Sequence, residues 1–108
     1  MIKPGSRDVK LHILIAGAEL EELQCLTGDM AESFGLDGRI YRYKGKRPIG
    51  MWRWDVEYII EVIDMALADP EIYPSADDPG YQALQSLRAR LQQAYDETYP
   101  EFASKARA

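Results

Sequence analysis

Residues 39–55 run Arg39-Ile40-Tyr41-Arg42-Tyr43-Lys44-Gly45-Lys46-Arg47-Pro48-Ile49-Gly50-Met51-Trp52-Arg53-Trp54-Asp55, and how this stretch is read decides the fold. Gly45 and Pro48 divide it. Ile and Tyr fill the first half, and Ile49, Met51 and Trp52 the second. Short β-prone runs separated by a glycine-bearing turn predict a β-hairpin, with strands over 39–44 and 49–53. Pro48 has no N–H for a ladder and Gly50 packs nothing, which places the second strand at a sheet edge.

Upstream, Val9, Leu11, Ile13 and Ile15 alternate with Lys10, His12 and Leu14, a strand pattern over 9–15. Residues 18–34 switch to helical period, with Leu20, Leu23, Leu26, Met30 and Phe34 on one stripe and acids beside it. Gly28 weakens this helix, and Gly35 followed by Leu36 reads as its C-cap. Downstream, Asp55 suits an N-cap, and residues 56–68 are apolar nearly all round except for Glu57, Glu61 and Asp64. That helix is expected at the centre of the core. Pro70, Pro74, Pro79 and Gly80 make 70–80 a loop, and Asp78-Pro79 pairs an N-cap with an N1 proline. A last helix over 80–98 carries Tyr81, Leu84, Leu87, Leu91 and Tyr95 on one face.

The resulting expectation is an α+β fold: a helix-rich single domain over 9–99 with a small two- or three-stranded sheet. Its order is β-α-β-β-α-α, with the helices on one side. Residues 1–8 read as a flexible leader and 100–108 as a fraying tail. Whether strand 9–15 pairs within the chain or with a second copy is left open by the pattern.

Composition narrows the function classes. The chain has 108 residues, one cysteine and a formal net charge of −5. Lone Cys25 excludes an intramolecular disulfide, and no apolar run is long enough to span a bilayer. No secretory signal core precedes the first strand, so a cytoplasmic location and no membrane contact are expected.

Charge is unevenly placed. Residues 39–53 hold Arg39, Arg42, Lys44, Lys46, Arg47 and Arg53 and no acid, a local +6 that leaves −11 for the remainder. Tyr41, Tyr43, Trp52 and Trp54 are interleaved with these cations. Trp, Tyr and Arg dominate protein–protein hot spots. This composition predicts a protein-interaction or self-associating module, a homodimer, contacting its partner through the ribbon. The same residues can grip a phosphate backbone and stack bases, so nucleic acid is the alternative partner. The anionic remainder of the chain opposes that alternative. A third reading places a ligand or enzyme pocket near Trp52, Trp54 and Tyr58, with Arg42 or Arg53 in its lining. In the plainest outcome the aromatics cover the core and the arginines pair with helix carboxylates.

Other chemistry finds little support. Gly45-Lys46-Arg47-Pro48-Ile49-Gly50 lacks the ending of a phosphate loop and precedes a strand. Glu57, Glu61 and Asp64 share a helix face, which reads as a solvated stripe or a partner for the ribbon, and no metal or other cofactor is expected. Cys25 lies among Glu21, Glu22 and Asp29, whose charges disfavour a reactive thiolate. His12 is the single histidine, and no catalytic motif accompanies it.

Overall fold

A computed structural model describes residues 10–26 and 36–100. In chain order these form β1 (Leu11–Ile13), α1 (Gly17–Cys25), α2 (Leu36–Arg42), β2 (Ile49–Met51), α3 (Arg53–Leu67) and α4 (Pro79–Thr98). The fold is α+β and helix-rich, with a two-stranded sheet. The expected leader 1–8, Val9 of the expected first strand, positions 27–34 of the expected helix 18–34 with its proposed cap at Gly35, and all of the expected tail 100–108 except Pro100 lie outside the described residues.

β1 and β2 pair antiparallel within the chain, with Leu11 opposite Met51, His12 opposite Gly50 and Ile13 opposite Ile49. Alternation then assigns the faces. Leu11, Ile13, Ile49 and Met51 are buried, while His12 is exposed on the other side.

The expected hairpin is not formed. Residues 39–42 belong to helix α2 rather than to a strand. The reason lies in the spacing of the apolar residues. Leu36 and Ile40 are buried and Tyr43 packs against the core. Offsets of four and seven are those of a helix face, whereas a strand over 39–44 would have put Ile40, Arg42 and Lys44 on one side. Gln24 of α1 completes the assignment. Its side-chain amide donates to the carbonyls of Ile40 (3.2 Å), Tyr41 (3.3 Å) and Tyr43 (3.0 Å), satisfying the end of α2. Arg39 and Arg42 occupy the last turn, where the helix dipole favours cations.

The chain turns at Gly45, whose φ is +72°. A β-carbon there would lie 3.0 Å from the Ile15 carbonyl oxygen and 3.0 Å from Leu20 Cδ2. Glycine therefore lets the loop press against the junction of β1 and α1.

α3 begins two residues before the expected cap. Asp55 sits at its third position, and its carboxylate accepts from the Trp52 N–H at 3.0 Å. That bond satisfies a donor at the helix start. α3 buries Val56, Ile59, Val62, Ile63 and Ala66, but Met65 on its other side is 67% exposed. The hub is α4 instead, which packs against α3, α1 and β1. Leu84, Leu87, Leu91 and Tyr95 form its buried stripe. Each fully buried leucine contributes about 1.5–3 kcal/mol. Its start matches the sequence reading: Asp78 accepts from Gly80 N at 2.8 Å and Pro79 is the first helical residue.

Candidate interaction surface

The ten ribbon residues singled out above divide into three groups. Arg39 and Arg53 are engaged by the chain's own acids. Arg39 lies 3.7 Å from the buried Asp55 carboxylate and also donates to the Gly50 carbonyl oxygen. Arg53 bonds Glu57 one turn on at 3.1 Å. Tyr43 is turned inward. Its hydroxyl donates to the Arg47 carbonyl oxygen and accepts from Ile15 N at 3.4 Å, so it staples the loop to the end of β1.

The remaining cations form the second group. Arg42, Lys44, Lys46 and Arg47 are exposed, and among the described residues none forms an ion pair. Together with Tyr43, Pro48 and Ile49 they line a shallow depression of about 410 Å³. Tyr41, on the exposed side of α2, is 70% exposed.

Trp52 and Trp54 form the third group. Their rings stack at 5.7 Å with an 18° interplanar angle. Lys10 sits 5.3 Å from the Trp52 ring centre, a cation–π contact. Trp52 is half-buried, while Trp54 remains 51% exposed. From Arg47 to Trp52 the extended chain covers about 16 Å at ~3.3 Å per residue. The depression and the indoles thus flank the two ends of β2.

Sequence reading missed Lys10 in this surface. The signal was the strand register: one step beyond Leu11–Met51, Lys10 faces Trp52. Gln24 was missed as well, because nothing local connects α1 to the end of α2.

In the expected acidic stripe on α3, Glu57 and Asp64 have partners within the chain. Glu57 accepts from Arg53 and the Tyr95 hydroxyl, and Asp64 binds the Arg88 guanidinium at 2.8 and 3.2 Å. On α1, Glu19 pairs with Arg90, and Glu22 accepts from Tyr73 at 2.6 Å. Burial first, then the Glu57 bond, pushes the Tyr95 hydroxyl up to about 12. Burial and Glu22 likewise raise Tyr73.

Further depressions are lined by Val62, Met65, Ala66, Asp69 and Ile72, by Arg88 to Glu97 on α4, and by Glu57, Ile60, Gln92 and Tyr95. Trp52, Trp54 and Tyr58 line none of these. Among the described residues there is no group of three or more His, Cys, Asp or Glu side chains able to hold a metal ion. No described helix is long and apolar enough to cross a membrane. No protein-family model, curated protein or solved structure matches the chain.

Proposed function

We propose that this chain is a protein-interaction module that docks an acidic protein surface against Tyr41, Arg42, Lys44, Lys46, Arg47 and Trp54. One observation carries the reading. In a chain of net charge −5, four adjacent cations have no ion-pair partner among the described residues, while carboxylates elsewhere pair with Arg88, Arg90 and Arg53. Cations in excess over local acids are available to an incoming partner. Exposed Tyr41, next to Arg42 in the chain, and exposed Trp54 supply aromatic anchors of the kind that concentrate binding energy once a partner desolvates them.

Charge also selects the geometry. An isologous dimer through this patch would set cation against cation, at a cost of several kcal/mol for close like-charge pairs. A partner surface of opposite sign fits.

The test is a titration with a glutamate-rich peptide and, in parallel, a single-stranded DNA oligonucleotide, read by tryptophan emission. The peptide should bind and shift emission, and the double variant Arg42→Glu/Arg47→Glu should lose that response. An unresponsive peptide would overturn the reading. Tighter oligonucleotide binding that falls linearly in a log–log plot against salt would move the assignment to nucleic acid.

A further inference from the structure

α3 connects two unlike surfaces. Trp54 stands in its first turn and Met65 near its last, about 16 Å apart at ~1.5 Å per residue. Trp54 stacks on Trp52, which carries Lys10 on its ring, and β2 links this end to the basic depression described above. Around Met65 lies a groove of about 350 Å³ lined by Val62, Met65, Ala66, Asp69 and Ile72. Met65 and Ile72 are both exposed large apolar side chains.

The border of this groove is acidic. Asp69 lines it, and its carboxylate accepts from the Glu71 N–H at 2.9 Å, fixing the turn that presents Glu71. Glu61 precedes Met65 by one helical turn, on the same face. Glu61, Asp69 and Glu71 form no ion pair among the described residues. The surface that ends at Trp54 thus carries its unpaired cations on α2 and the following loop, with an exposed indole at the start of α3, while the other end of α3 carries unpaired carboxylates around an apolar hollow. The helix dipole has the same sense, positive at Trp54 and negative beyond Leu67.

We infer that the acidic partner is a second copy of this chain: the Trp54 surface of one copy seats on the Met65–Ile72 groove of the next. This rests on the reading of the basic surface as a protein-binding face. The groove has the volume of a small binding pocket, in the range of about 300–1,000 Å³, and is suited to one large side chain. Because the two surfaces differ, the contact is heterologous. It leaves one free surface of each kind on every pair, so it propagates into a chain unless rotation closes a ring. A seated tryptophan buries roughly 150–250 Å², a small part of a standard interface, so association is concentration-dependent.

Sedimentation velocity across a concentration series at physiological ionic strength tests this. The wild-type mass should rise beyond that of a dimer. Trp54→Ala/Arg47→Glu removes the basic surface, and Met65→Lys blocks the groove. Each variant alone should remain a monomer, with association weakened about tenfold or more. Mixed in equal amounts, the two should form a dimer and nothing larger, because only one productive contact remains. A wild type that stays monomeric throughout, or a mixture that fails to pair, overturns the inference. All three positions are solvent-accessible, and unchanged circular dichroism confirms that the variants fold. Peptide binding that persists in a strictly monomeric wild type would leave the broader reading standing. Loss of peptide binding as well would remove both.

Discussion

Helices α4 and α2 form for different reasons. α4 has 20 residues, its own N-cap at Asp78, an N1 proline, and a leucine stripe at helical spacing. α2 has seven residues, and isolated helices shorter than about 12–15 residues are marginal in water. What holds α2 is borrowed: burial of Leu36 and Ile40 against the core, and three carbonyl bonds from Gln24 of α1. α4 is specified by its own sequence and organises its neighbours, whereas α2 is specified by them. The basic surface is built on the borrowed element. Its cations sit on α2 and the following loop, which makes the surface locally the easier part of the molecule to open.

The largest expected effect strikes the organising helix. Leu87 is fully buried on α4. Leu87→Ala removes its contacts and leaves a cavity, at a cost of about 2–5 kcal/mol. Urea unfolding should show a lower midpoint with an unchanged slope, because the whole structure shares that core. A loss confined to one element, with the global midpoint intact, would contradict α4 as hub.

The same contrast explains what was legible in the sequence. α4 was readable to within a residue at its start because caps and period are local signals. The first strand was readable from alternation and the second from its β-prone residues, although its pairing with β1 rather than with 39–44, and Lys10 meeting Trp52, required the register. Residues 39–42 misled because Arg, Ile and Tyr are common in strands, and the deciding partners were Leu36 before them and Gln24 far upstream. α3 was read as buried on most sides because its apolar residues encircle it. Which side stays open depends on how loop 70–78 is laid, and so Met65 and Ile72 were not foreseen as a groove. The basic ribbon was visible as composition. Of its internal pairings, Arg53–Glu57 is a simple i, i+4 contact, whereas Arg39–Asp55 links α2 to α3 and carries no local sequence signal.

A smaller, local effect should follow from Gln24→Ala. It strips three hydrogen bonds from the end of α2, and the net loss is about 1–2 kcal/mol because water replaces part of them. Hydrogen exchange should report it as faster exchange of the α2 amides, with α4 protection lowered far less. Equal loss in both helices would show that α2 is as integral to the core as α4. If the basic surface needs α2 in place, this variant should also bind the glutamate-rich peptide more weakly.

The smallest effect concerns the join between α4 and α3 and appears only in alkali. Tyr95 donates its hydroxyl to Glu57, which also holds Arg53. Its folded-state value of about 12 lies above the ordinary tyrosine value of about 10. The folded protein therefore holds this proton more tightly than the unfolded chain. The resulting stability is fully present below about pH 10 and is lost as the pH rises through about 12. Tyr95→Phe deletes the titrating group but keeps the ring that packs edge-on against Tyr99. Stability measured from neutral pH into this window should then fall less steeply in the variant than in the wild type. Parallel curves would mean that the hydroxyl is not held by Glu57 in solution. Because this contact lies where α4 crosses α3, exchange at α2 should respond to it least of all, the converse of the Gln24 result.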